Sequence, residues 1–268
     1  MADESVKKTV IVALGVCIVC SILVSTAAVA LRGIQLENKK IDRIKNILIA
    51  GDLLVRGADI RAIYEEKIEP AMIDLHSGDI LSAEDFNETL NIDNFDIKTM
   101  ADDPEYGMVI PDDRDRANIK RMPKYMVVYF VKENNKTEKV ILPIYGKGLW
   151  STMYGFIALG KDLNTVKGFT FYEHAETPGL GGEVDNPRWK NSWKGKLALD
   201  EGGKVKIEVI KGRVDTSRPE SKYQIDGLSG ATLTARGVDH LVKFWLGNDG
   251  YGLFLKRLKE ELHSGTRL

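Results

Sequence analysis

Cysteine is nearly absent from the 268 residues: there are two, Cys17 and Cys20. A disulfide-dense scaffold is therefore excluded, as is a Cys-rich metal or iron–sulfur site. An excess of positive charge is missing too. Lys and Arg total 38, Asp and Glu 39, for a formal charge of −1. That balance argues against a nucleic-acid binder, which carries a basic domain or stripe. Internal repeats and low-complexity tracts are also lacking. What is present is a folded composition, 43% apolar and 29% charged, at a length that suits one large or two small domains.

Charge is absent locally as well. No charged residue occurs from Thr9 to Leu31, a run of 23 residues. As a helix the run is roughly 34 Å long at about 1.5 Å per residue, against a bilayer core of about 30 Å. Two readings fit: a permanent anchor, or a cleaved signal peptide ending near Ala28-Val29-Ala30. The run exceeds the ~7–15-residue core of a signal peptide, which favours the anchor. Lys7 and Lys8 precede it, while Arg32, Lys39, Lys40, Arg43 and Lys45 follow. Charge alone would keep the large domain inside, but long domains translocate largely regardless of charge. Cys17 and Cys20 share one helix face and read as small apolar side chains.

The remainder reads as α+β with an antiparallel sheet. Ile41, Ile44 and Leu48 predict a helix over 34–50 that stops at Gly51, and Ile60, Ile63, Tyr64 and Ile68 a second that ends near Pro70. A strand is expected at 71–75, followed by a turn at Ser77-Gly78-Asp79. Residues 82–121 are acidic and irregular, and read as a surface insertion. Strands at 124–133 and 138–144 flank Asn134-Asn135-Lys136 as a hairpin. Two more follow at 152–159 and 165–174, and another at 204–211. Asn186-Pro187 signals a helix start. Helices close the chain at 233–246, with Val238, Leu241, Val242 and Trp245 inward, and around Leu255, Leu258 and Leu262. The expected division is a tail (1–8), a transmembrane helix (9–31), a first outer part (32–123) and a ligand-binding domain (124–268).

Three stretches carry chemistry. Asp226-Gly227-Leu228-Ser229-Gly230-Ala231-Thr232-Leu233-Thr234 places two glycines and three hydroxyls before a helix, where free N–H groups favour a phosphate. An ordinary N-capped helix after a glycine turn fits that local pattern as well, and local physics alone favours it. His174-Ala175-Glu176-Thr177-Pro178-Gly179-Leu180-Gly181-Gly182-Glu183 is a turn-rich loop able to bring backbone N–H groups against a planar ligand. A zinc site from His174, Glu173 and Glu176 lacks a known ligand spacing. Tyr145-Gly146-Lys147-Gly148-Leu149-Trp150-Ser151-Thr152 sets a Trp in a glycine-rich turn, either for a ligand edge or for the core.

Asp-Gly-Leu-Ser-Gly-Ala-Thr resembles the acceptor motif of flavin transferase, the enzyme that attaches FMN to a threonine through a phosphoester bond. The three stretches, in this order behind one span, resemble the NqrC family of the sodium-translocating NADH:quinone reductases. The resemblance covers essentially the whole chain. It implies one covalent FMN that relays electrons in a bacterial inner-membrane complex oxidising NADH with ubiquinone and exporting Na+. It also implies a periplasmic domain on a single-pass anchor, with the complex's other members (NqrA, NqrB, NqrD, NqrE and NqrF) and the transferase as partners. Residue by residue, it implies Thr232 as the phosphoester link, with Ser229, Gly230, Ala231 and Thr234 around the phosphate. Glu176, Thr177, Gly179 and Leu180 then contact the ring or ribityl chain, Leu149 and Trp150 pack nearby, and Lys211 faces the reduced flavin or the phosphate. Asp226 serves the transfer reaction. The corresponding member of the ferredoxin:NAD oxidoreductase complex shares the acceptor and a similar loop. The long 32–123 region and the continuation Gly-Glu-Val-Asp-Asn-Pro-Arg-Trp favour the sodium-linked family. A non-redox anchored binding module, with the motifs as mere turns, is the remaining alternative.

Overall fold

The computed structural model describes residues 6–264 apart from Arg56 and Asn135. Asn135 of the expected hairpin turn and the first five residues of the expected tail thus lie outside the described residues. The chain divides into two compact units, Met1–Arg43 and Ile44–Leu268.

The first element is a single helix, α1 (Val6–Ala50). Every residue from Thr9 to Leu31 is exposed, large apolar side chains included. Such a helix is long and apolar enough to cross a membrane. The separate helix expected at 34–50 is its continuation. Gly33 costs helix stability, but no proline or cap intervenes to end it there. Ile47, Leu48 and Ala50 are buried in the core of the second unit.

In that unit Asp59 caps α2 (Ile60–Lys67) by accepting from the amides of Arg61 and Ala62. β1 (Ile68–Asp74) follows without a break, so Pro70 lies inside the strand and not before it. The position tolerates proline because β1 is the edge strand of the sheet, with β4 (Tyr125–Glu133) as its neighbouring strand. β5 (Lys136–Lys147), β6 (Thr152–Gly160) and β7 (Val166–Glu173) complete an antiparallel sheet of order β1-β4-β5-β6-β7. The fold is α+β. β1 and β4 share a ladder across the expected 123/124 division.

Residues 82–121 are a correction to the sequence reading. They hold α3 (Ile97–Asp102) and β2 (Gly107–Val109) and lead into β3 (Arg121–Pro123), the two strands paired antiparallel. Leu90, Phe95, Ile97, Met100, Ile110 and Ala117 are buried in the main core. The acidic residues hid this, since several serve as local caps: Asp96 for Thr99, Asp103 for Glu105 and Tyr106, Asp115 for Ile119 and Lys120.

Beyond β7, Asn186 caps the short α4 (Pro187–Asn191). The strand expected over 204–211 shrinks to β8 (Glu208–Val209), parallel to β9 (Gln224–Ile225). Alternation alone does not extend a strand that has only two partner residues beside it. α5 (Thr232–Leu246) buries Val238, Leu241, Val242 and Trp245, with the Trp245 indole donating to the Tyr145 carbonyl at 2.6 Å. It lies so close to β5 that a Cβ at Gly146 would sit 2.5 Å from that of Leu241. α6 (Gly252–Ser264) ends the described chain, with Phe254, Leu255 and Leu258 buried.

If 82–121 is core and not insertion, Phe95→Ala costs about 3–5 kcal/mol, whereas a surface position would stay within about 0.5 kcal/mol. Urea denaturation of the domain distinguishes the two.

Candidate functional site

Three loops meet around one carboxylate. The β5–β6 turn (148–151), the loop after β7 and the first turn of α5 all reach Glu176, which is only 5% exposed. Its Oε1 accepts from the amides of Trp150 and Ser151 at 3.0 Å each and from Ser151 Oγ at 3.1 Å. Its Oε2 accepts from the Leu149 amide at 3.2 Å and from Thr234 Oγ1 at 2.7 Å. The Ala175 amide closes the knot on Ser151 Oγ at 2.9 Å. Burial pushes the Glu176 carboxyl up, but the donors Thr234, Trp150, Ser151 and Leu149 outweigh it and hold the group below its ordinary value.

Two glycines make the knot possible. A Cβ at Gly148 would meet Glu176 Oε1 at 2.6 Å, and one at Gly181 would meet Thr234 Oγ1 at 2.5 Å. His174 steadies the loop from its start. Its Nε2 is 2.8 Å from Asp185 Oδ2, and its Nδ1 accepts from the Glu176 amide at 3.2 Å. The hydrogen bond to Asp185 raises the His174 pKa.

The loop before α5 is pinned from both sides. Asp226 takes the Val214 amide on its carboxylate at 2.7 Å and the Trp189 indole on its carbonyl at 2.8 Å. The Gly227 amide donates to the Gly212 carbonyl. Gly230 turns the chain with φ +73°, a left-handed conformation that favours glycine. The chain then enters α5 with Ala231 at the cap position and no side-chain cap. Thr232, the first helical residue, is exposed, whereas Thr234 is buried at 1%. So the ordinary N-capped helix does not form here. The helix start has open N–H groups with a free hydroxyl beside them.

Two clefts flank the loop. One, of about 330 Å³, is lined among others by Lys211, Thr232, Arg236, Asp239 and His240. The other, of about 590 Å³, includes Gly179, Leu180, Arg188, Trp189, Ser229 and Gly230. The expected site residues thus divide: Thr232 with Lys211, and Gly179 and Leu180 with Ser229 and Gly230. Leu149 and Trp150 project at the β5–β6 turn, 40% and 68% exposed. Thr177 is exposed, and its carbonyl accepts from the Leu180 and Gly182 amides. Glu176 and Thr234 were expected at the ligand, but each has its polar atoms engaged with the other. Ser151 and Asp185 lay within the quoted stretches without an assigned role, and Arg236 and His240 escaped the sequence reading. For the last two a signal existed, because they stand four and eight residues after Thr232 on one helix face.

The family model for the FMN-binding domain matches residues 148–247, a span that contains all three loops and α5. The NqrC chain of the Na(+)-translocating NADH-quinone reductase of Pseudomonas aeruginosa is 45% identical over 96% of this chain and 98% of its own length. That of Vibrio alginolyticus is 41% identical over 96% and 97%. The chain belongs to this NqrC family. The crystal structure of Shewanella oneidensis NqrC is 36% identical, covers 83% of this chain and 99% of its own, and superposes with a TM-score of 0.75. The likeness thus holds at the level of backbone as well as sequence. The family is that of a subunit of an oxidoreductase that is also a translocase.

The Glu176 knot makes a stability prediction whose sign is fixed. A carboxyl held below its unfolded pKa stabilises the fold above that value, and the contribution is lost as pH falls through the folded pKa. Glu176→Gln should cost about 1–3 kcal/mol at pH 7, because its amide nitrogen faces N–H donors. The cost should shrink below the ordinary value of 4.5. Urea midpoints of both proteins between neutral and acid pH test it, and a pH-independent difference would reject it.

Proposed function

We propose that the chain carries one FMN esterified through its phosphate to Thr232, and that it relays electrons in the complex that oxidises NADH, reduces ubiquinone and exports Na+. The observation that carries this reading is the exposed Thr232 hydroxyl at the uncapped start of α5, inside an FMN-binding domain match. Three hydroxyls compete in the motif. Thr234 is buried and bonded to Glu176, so it is withheld. Ser229 is exposed but lies before the helix, on the side of the other cleft. Thr232 alone combines access, the positive end of a helix dipole and a neighbouring lysine, Lys211.

A flavin, when bound, supplies reversible electron transfer that no side chain of this protein offers. The residues do the rest. Gly230 and Ala231 set the turn that presents Thr232, and Ser229 and Thr234 frame it from outside and inside. Glu176 acts by position, fixing the β5–β6 turn and the start of α5 relative to one another. Thr177, Gly179 and Leu180 shape the wall beside the loop, and Leu149 and Trp150 offer exposed apolar surface to a ring. Lys211 contributes positive charge near the phosphate. A relay needs constant distances to its donor and acceptor, and a covalent link to a rigid turn provides them.

In this reading the 9–31 stretch of α1 anchors the protein in the bacterial inner membrane and residues 32–268 are periplasmic. NqrA, NqrB, NqrD, NqrE and NqrF, the other members of the complex, are its standing partners, and a flavin transferase acts during maturation. The span holds no charged residue from Thr9 to Leu31, so it offers no ion site of its own and Na+ passes through other members of the complex.

Thr232→Ala should give a folded protein with no covalent flavin, while Thr234→Ala and Ser229→Ala remain labelled. Ultraviolet fluorescence of the denatured gel band, after co-expression with flavin transferase, reads this out. A glowing band from Thr232→Ala would reject the acceptor.

A further inference from the structure

We propose that Arg236, with Lys211 opposite it, clamps the phosphodiester at Thr232, so that the ester lies in the Lys211 cleft and not in the Trp189 cleft. This rests on FMN attachment at Thr232 and adds its direction and a residue that holds it. Arg236 follows Thr232 by four positions, one turn along the same face of α5. Helical side chains lean toward the N-terminus, which puts the Thr232 hydroxyl on the side toward which an arginine four residues later extends. Both residues and Lys211 line one cleft, and all three are exposed.

The charges in that cleft do not cancel. Its carboxylate, Asp239, is already engaged: it accepts from the Val209 amide at 3.0 Å and pairs with Lys243 at 2.9 Å. Neither Lys211 nor Arg236 has a hydrogen-bond or ion-pair partner among the described residues. His240 adds little positive charge, because burial lowers its pKa and Lys243, Arg236 and Arg116 push the same way against Asp239. Two cations without a partner among the described residues therefore share a cleft with an exposed hydroxyl at a helix start. A phosphodiester, singly negative and able to take bidentate guanidinium hydrogen bonds, matches that arrangement. The opposite cleft holds Arg188, but Glu183 shares it.

The phosphorus-31 resonance of the full-length, flavin-loaded protein tests the clamp. In Arg236→Ala the phosphodiester signal should move toward its position in the denatured protein, and Arg236→Lys should restore part of the shift. Arg188→Ala should leave it in place. Added NaCl should move the wild-type signal in the same direction, and that of Arg236→Ala much less, because exposed charges are screened. The flavin midpoint potential should stay unchanged in Arg236→Ala, since the clamp acts at the phosphate and not at the ring. A signal unmoved in Arg236→Ala, or moved equally in Arg188→Ala, overturns the clamp while leaving attachment intact. Wild-type protein with no phosphodiester signal overturns attachment itself.

Discussion

A buried carboxylate with no ion-pair partner among the described residues organises this domain. Taking an ionised carboxylate out of water is costly unless its oxygens are fully hydrogen-bonded. Glu176 meets the condition with three backbone amides and two hydroxyls. The donors come from segments far apart in the chain: Trp150 is 26 residues away and Thr234 is 58. None of those loops can shift alone without leaving a buried charge or a buried N–H unsatisfied. The glycines at 148 and 181 are the steric counterpart, because any side chain there would occupy the space of the carboxylate or its hydroxyl partner.

The knot decides which hydroxyl is available. By drawing Thr234 inward it turns the first residue of α5 outward, and the missing side-chain cap leaves the helix start open to an outside anion. A capped helix would have satisfied those amides internally and left the hydroxyls interchangeable. Rigidity follows from the same bonds. The loop before α5 is further tied at Asp226 by Val214 and Trp189, and Trp189 and Trp193 pack on Phe169 of the sheet. A group fixed at Thr232 is therefore referenced to the sheet through short, well-bonded segments. For the electron relay proposed above, such rigidity would matter more than a deep cavity, since a relay admits no substrate.

Local signals read well wherever local forces decide. The uncharged run from Thr9 predicted an exposed apolar helix because composition alone sets its solvent. The 124–133 and 138–144 hairpin, the Asn186-Pro187 start and the inner face of α5 were legible from period and capping. The glycine turn and helix start around Thr232 were legible too, because glycine and the apolar period that follows it are local signals. Local signals misled where tertiary contacts decide. Residues 82–121 are polar on average, yet Phe95 and Met100 are buried in the core. The alternating 204–211 stretch forms only a two-residue strand, because it has little to pair with.

The chain by itself determined its long apolar helix, its α+β class and the glycine turn before α5, since each follows from neighbours within a few residues. Only the folded domain decided that Glu176 would be a structural centre, that Thr234 would be hidden and Thr232 exposed, and that Lys211 and Arg236 would share a cleft. Those outcomes depend on which distant donors converge on a buried charge. Periodicity, capping and composition carry no record of that choice.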